Sequence, residues 1–426
     1  MKCEANEKGR YFLLGSLLLC AAVMGFLTDG IRLTIFSFLE IQTVSARLVQ
    51  DYTVLGVGGA LLNASLVAMI GLLLVYFSSV TLAGPTIAAI FTMFGFGLFG
   101  KSVTNISFIL VGVFIASKIA GKSFGAYSLI ALFGTALGPV VTLLAFDLNL
   151  PLYFSLPLGA FAGVVIGIIL PAVAGAMLSL HQGYNLYNIG FSCGFIGLFV
   201  ASLMRAMNLL GPIEVTWNTE PSTALTLLIP LFSAASIIYG FLSSGQKVMT
   251  SAREVVALQT LSGRLPTDFF DAVESQTPWI NMGLLGLASF AYVTLTKSSI
   301  NGPLIAGMAT VMGFGSFGKT LKNSYPVVAG VILATLVFGK SLSAPGPLLA
   351  ALFATTLAPV AGQFGPAAGV IAGVIHLIVV ESSGAWHGGL DLYNNGFAGG
   401  LSATLIITLI HWYKTNRTKE DFINEA

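Results

Sequence analysis

Charge is what this sequence has least of. Only 8% of its 426 residues are Asp, Glu, Lys or Arg, against roughly 25% in a soluble domain. Lys and Arg total 19 and Asp and Glu 17, so there is neither a basic footprint for nucleic acid nor an acidic tail. Cysteine is also scarce: Cys3, Cys20 and Cys193 are odd in number and far apart, which argues against a disulfide framework or a zinc-ligand spacing. The loops offer no Ser-His-Asp arrangement, paired carboxylates or metal motif, and they are too short for a soluble catalytic domain. No enzyme activity, cofactor or metal is therefore expected. What the chain has in abundance is apolar bulk: 56% hydrophobic residues, 49 Gly, 31 Phe and a mean hydropathy of +0.90. Close backbone approach and apolar surface both suit helices in a bilayer.

Apolar stretches of membrane length fall near 11–28, 53–78, 104–118, 126–146, 158–178 and 187–207, and again near 225–243, 279–296, 324–338, 346–363, 365–380 and 389–412. The first lacks a small-x-small cleavage site and reads as a span rather than a signal peptide. The more polar stretches 29–52 and 244–278 read as interfacial segments, the second long enough for an amphipathic helix.

An internal repeat organises these segments. Gln42-Thr-Val-Ser-Ala-Arg47-Leu-Val-Gln-Asp51 returns as Gln259-Thr-Leu-Ser-Gly-Arg264-Leu-Pro-Thr-Asp268. Gly84-Pro85, Gly95-Phe-Gly-Leu-Phe-Gly-Lys101-Ser102 and Asn105 return as Gly302-Pro303, Gly313-Phe-Gly-Ser-Phe-Gly-Lys319-Thr320 and Asn323. Gly121-Lys122-Ser123 returns as Gly339-Lys340-Ser341, and His181-Gln-Gly-Tyr-Asn-Leu-Tyr187-Asn188 returns as His387-Gly-Gly-Leu-Asp-Leu-Tyr393-Asn394. Chance does not place four such pairs in one order. The fold class expected is an all-α integral membrane protein of two homologous membrane repeats, residues 1–210 and 211–426, with 10 to 12 transmembrane segments.

Charge placement sets the expected orientation. Lys2, Lys8 and Arg10 at one end and Lys414, Arg417 and Lys419 at the other put both termini in the cytoplasm of a bacterial inner membrane, whereas the connector near 208–223 has Glu214 and Glu220 but no Lys or Arg. Each half must then cross an odd number of times, so the halves are inverted. Six apolar stretches per half is an even number, and one must be re-entrant or broken.

The Gly-Pro to Gly-Lys segments are where that irregularity is expected. Both fit the phosphate-cradling pattern G-x-x-x-x-G-K-[ST], but they lie inside apolar sequence with no acidic magnesium segment, which rejects a nucleotide site. A short membrane-entering helix begun by Pro and ended by a glycine turn fits better. Gly95, Gly97 and Gly100, with Gly313, Gly315 and Gly318, would form the re-entrant turns. Interrupted segments in matching positions of two halves point to a transport site. Lys101 and Lys319 would attract an anionic group there, beside Ser102, Asn105, Thr320 and Asn323; the competing reading is that each lysine snorkels to the interface. Tyr187, Asn188, Tyr393 and Asn394 would line a polar path, or else anchor and cap helices at the interface.

The halves also differ. Asp391 stands where the first half has Asn185, and Glu381 stands opposite Gly175. Intramembrane carboxylates suggest proton or sodium coupling, so Glu381 or Asp391, with His387, is the expected coupling element; a watery loop position is the alternative. His376 has no counterpart and reads as packed and neutral. The pairs Arg47/Asp51 and Arg264/Asp268, four residues apart, read as ends of interfacial helices.

The paired Gly-Phe-Gly-x-Phe-Gly-Lys-[Ser/Thr] and Leu-Tyr-Asn-x-Gly-Phe motifs make the chain resemble, over nearly its whole length, a family of uncharacterised bacterial multi-pass membrane proteins. More weakly, Leu186-Tyr187-Asn188, Leu392-Tyr393-Asn394 and Asn301-Gly302-Pro303 are similar to elements of urea transporters, although the Gly and Asn order, the spacing and the filter motif differ. That second likeness implies an inverted-repeat pore and does not carry urea over as the substrate. The expected function is transport of a small polar or anionic solute, with Glu381 and Asp391 inclining the reading toward a proton- or sodium-coupled carrier. A passive channel for a small neutral solute is the runner-up, and a non-transport membrane protein or intramembrane enzyme the third reading. The expected partners are the lipid bilayer and the solute, with self-association left open and no nucleic acid.

Overall fold

The computed structural model describes residues 2–273 and 275–424. The side chains of residues 2–5 and 417–424 lie outside that description, and with them the expected basic groups Lys2, Arg417 and Lys419. Among the described residues the secondary structure is helical, with two isolated β-bridges and no strand. The first half runs through α1 (Lys2–Ile41), α2 (Val57–Phe77), α3 (Gly84–Gly97), α4 (Val103–Ile119), α5 (Ser128–Gly134), α6 (Gly138–Thr142), α7 (Leu152–His181) and α8 (Asn188–Ala206). The second comprises α9 (Thr223–Ser243), α10 (Val248–Leu258), α11 (Phe269–Ala272), α12 (Pro278–Leu295), α13 (Gly302–Gly313), α14 (Leu321–Val337), α15 (Pro345–Phe353), α16 (Ala358–Phe364), α17 (Pro366–Trp386) and α18 (Asn394–Asn424).

Among the described residues ten helices are long and apolar enough to cross a membrane, five in each half, and the protein is a polytopic membrane protein. Two of these spans are compound, 124–147 and 345–364, each broken near its middle around Thr135 and Thr355. They are the innermost, with 72% and 83% of their apolar windows buried, against 33% for α1 and α7. The helices α3, α4, α13 and α14 are shorter. The stretches expected at 104–118 and 324–338 are thus the short α4 and α14. In α1 the backbone breaks at Gly30, where φ is +72°, so the first interfacial segment is the helix's own continuation. The second, 244–278, contains the amphipathic α10.

Helices α3 and α13 pack against each other at the centre, and glycine permits it. A Cβ on Gly95 would stand 2.6 Å from the Ala306 Cα, and one on Gly313 3.2 Å from the Ala88 Cα. The start of α3 at Gly84 abuts Ser316 at the far end of the second segment, and Gly302 abuts Leu98. The two helices therefore run antiparallel along their whole length. Gly95 and Gly313, expected in the turns, are sites of close packing within or at the end of their helices, while Gly97 on Ala64 and Gly315 on Met282 combine close packing with the entry to the turn. The turns belong to Gly100 and Gly318, with φ of +92° and +86°.

Candidate functional site

Each short helix ends in a turn held by the same hydrogen bonds. The Asn63 amide donates to the carbonyls of Gly97 and Lys101 at 2.7 and 2.8 Å, and that of Asn281 donates to Gly315 and Lys319 at 2.8 and 2.9 Å. Gln42 and Gln259 donate to the two asparagine oxygens, at 3.1 Å in both halves. Ser102 with Asn105 and Thr320 with Asn323 form reciprocal caps at the starts of α4 and α14, and both asparagines also reach back to the turn glycine carbonyls at 2.9 Å. The capacity of these four polar side chains is thus committed to backbone at the turn.

The chemistry at the turn exchanges between halves. Lys101 Nζ donates to Tyr393 Oη and to Thr135 Oγ1, both at 2.6 Å, while Lys319 Nζ donates to Tyr187 Oη. Both ammonium-bearing side chains are fully buried, so neither snorkels to an interface. Tyr393 packs edge-on to Phe96 at 4.6 Å, and Tyr187 on Phe314 at 4.7 Å. Phe353 bridges Phe96 (5.6 Å) and Tyr187 (6.5 Å), and Phe133 bridges Phe314 (5.8 Å) and Tyr393 (6.4 Å). The six rings close a collar, three from each half. All six line a cavity of about 1010 Å³, which Thr92, Thr310, Leu186 and Leu392 also line. The lysines stand behind the tyrosines and do not line it.

The His-containing segments fix the tyrosines. In each, the histidine Nδ1 accepts a backbone N–H, from Asn185 at 3.2 Å or Asp391 at 3.3 Å, so the ring proton sits on Nε2. It is donated to Asn188 Oδ1 at 2.9 Å or Asn394 Oδ1 at 3.0 Å, and both asparagine amides reach α7 or α17 carbonyls at 3.2 Å. Asn188 touches the cavity, while Asn394 is also held by Ser383. Here the halves diverge. Asn185 Oδ1 accepts from Thr356 Oγ1 at 2.5 Å, whereas the equivalent pair is Asp391 and Ala136, and Asp391 Oδ2 is buried with no hydrogen-bond partner. Asp391 lies within electrostatic reach of Lys101 and Cys193. Glu381 does not join it; it pairs with Lys340 on a half-exposed surface. His376 bonds Asn395 at 3.0 Å.

The Arg/Asp pairs, expected on interfacial helices, lie in irregular segments that reach across to the other half. Gly84 N donates to Asp268 Oδ2 at 2.9 Å, and the backbone of Gly302 bonds Asp51, so each carboxylate serves the start of the other half's short helix. Burial raises both carboxyls above the usual carboxylate range, opposed by these amides. Arg264 Nε donates to Gln182 O at 2.8 Å, capping the end of α7, and Arg47 Nε donates to Gly388 O at 2.9 Å beyond α17. Sequence reasoning missed Asn63, Asn281, Thr135, Thr355 and the collar phenylalanines; a buried Asn at one repeat offset in two apolar spans was the available signal.

Among the described residues the charged lining of the cavity gathers at one end. Lys122, Gln182, Arg264 and Asp271 form its mouth. The equivalent place on the opposite side is filled by the connector after α8. Arg47 donates to Pro212 O at 2.9 Å and Gly211 O at 3.0 Å, Thr216 N to Val49 O at 2.9 Å, Asp51 N to Thr216 Oγ1 at 2.7 Å, and Asn301 to Asn218 O at 3.0 Å.

No curated protein and no solved structure matches the chain, and the weaker likeness to urea transporters rests on its motif echoes alone. A family model described as a protein of unknown function, DUF1576, matches residues 32–206 and 247–412. The two matches end on residues equivalent in the repeat, Ala206 and Trp412, and together they take in the turns, the collar and the histidine segments. The chain belongs to the DUF1576 family.

Proposed function

We propose that the protein is a carrier for a small polar or anionic solute, built from two halves of opposite membrane orientation. The antiparallel contact of α3 with α13 supports the inversion, because equivalent helices that run antiparallel need a twofold axis perpendicular to them. Five span-length helices per half agree with it, an odd number. In this reading α3 with α4, and α13 with α14, are re-entrant pairs whose exposed backbone groups are met by Asn63 and Asn281.

The observation that carries the proposal is a cavity whose inner collar is lined by equivalent residues of both halves and whose exposed charged lining lies at one end. A carrier exposes its site to one side at a time, and inverted repeats let the two outward states be mirror uses of one architecture. A passive channel requires a path open at both ends. Asp391, buried beside Lys101, is the coupling candidate, and no enzymatic role is assigned.

Counterflow in proteoliposomes tests the carrier. A thermal-shift screen of purified protein against small anions, neutral solutes and sodium selects a ligand by the stability it adds. Vesicles preloaded with that ligand should then accumulate the labelled form transiently. Leak without counterflow would indicate a pore and sink the proposal.

A further inference from the structure

The two lysine–tyrosine units differ in charge although they match in geometry. Lys101 has the carboxylate of Asp391 within electrostatic reach. Lys319 has no acidic neighbour of that kind among the described residues, because the equivalent residue is Asn185, which is satisfied by Thr356. A buried ammonium without a counter-charge is costly, so Lys319 keeps its proton most readily when an anion joins it. Its route to the cavity is Tyr187, whose oxygen it hydrogen-bonds, whose hydroxyl also pairs with Thr355, and whose ring lines the collar. On the other side, Tyr393 Oη accepts from Lys101 and its own proton has no acceptor among the described residues, so it is free to donate into the cavity. Beside the tyrosines the collar is apolar, Phe96, Phe133, Phe314 and Phe353, and the hydroxyls of Thr92 and Thr310 on the same wall donate to carbonyls of their own helices.

Resting on the carrier reading, we infer that the ligand is an organic monoanion whose apolar body sits within the six-ring collar and whose single negative charge answers Lys319 through the tyrosine hydroxyls. An inorganic anion would waste the four phenyl faces, and a cation within the collar would face Lys101 and Lys319 behind the tyrosines with Asp391 as the one carboxylate at that depth, Asp268 and Asp271 lying toward the mouth. A neutral solute would leave Lys319 uncompensated.

Titration calorimetry on the purified full-length protein with benzoate and hexanoate, each against its neutral amide, tests this inference. The acids should bind and the amides should bind roughly ten- to a hundredfold more weakly, the range of one charge-assisted hydrogen bond. Lys319→Gln should erase that preference. Asp391→Asn, which reproduces the first half's residue, should act in the opposite sense and tighten the acids, since it leaves Lys101 unanswered; a gain of affinity cannot come from misfolding. Equal binding of acids and amides, no binding of either acid, or an Asp391→Asn variant with weaker acid binding would each overturn the inference. Binding of the acids without counterflow would sink the carrier and leave this inference standing, whereas counterflow without charge preference would do the reverse.

Discussion

Arg47 and Arg264 occupy equivalent places in the two halves and live in different surroundings. Arg264 is exposed at the cavity mouth, donates to one carbonyl of the α7 end and lies over the Tyr184 ring at 4.6 Å. Arg47 is buried beneath the connector and donates to three carbonyls, two of them in the connector itself. The difference does not originate in the repeats, whose turns match to about 0.1 Å in the asparagine hydrogen bonds. It comes from a segment that has no duplicate, because a chain of two halves has one connector. The duplicated residues build the centre, and the single-copy residues decide which end of it is open.

Three measurements break or sharpen that comparison. The largest effect belongs to the shared centre: Asn63→Leu and Asn281→Leu each strip two buried carbonyls of their donor. Each should cost about 2–5 kcal/mol by the penalty for orphaned buried polar groups, read as a fall in thermal unfolding temperature in detergent. Near-equal losses are expected, and a loss confined to one half would end the claim that the turns are equivalent.

The ends should differ where the centre does not. In a variant without native cysteines, Thr267→Cys at the open mouth should react with a water-soluble maleimide faster than Gln50→Cys under the connector. The expected ratio is about tenfold or more, tenfold being what a 1.4 kcal/mol opening cost imposes. Equal rates would mean that the connector does not seal its side. The smallest effect is expected at Glu381→Gln, because the Lys340 pair is partly exposed. Its removal should shift stability by less than about 1 kcal/mol and leave acid binding unchanged. A change in binding would return Glu381 to the site and separate the two halves further.

What the sequence disclosed followed from cost. Polar residues in apolar helices are expensive, so their recurrence in Gly-Lys-[Ser/Thr]-x-x-Asn and in the histidine segments stood out and marked two matched interruptions. Direction was less legible. Lys101 and Tyr393 were both singled out, but nothing in a repeat says whether a lysine meets the tyrosine of its own half or the other's. Arg47 and Asp51 misled for a related reason: a spacing of four suggests one face of a helix, whereas in an extended segment it lets the arginine reach the end of α17 and the aspartate the start of α13. Gly95 and Gly313 read as turn formers because they sit beside true turn glycines, and the demand they meet, a neighbouring backbone at contact distance, is a property of the other half.

The exchange of caps has a consequence for how such a protein comes into being. While the first 210 residues emerge from a ribosome, the amide of Gly84 has no Asp268 and the oxygen of Tyr187 no Lys319; both wait for a segment not yet synthesised. Two copies of one half could supply each other with every group in that exchange, since each bond has its counterpart. The connector takes no part in that exchange, so it shapes one end of the molecule without being needed to complete the centre.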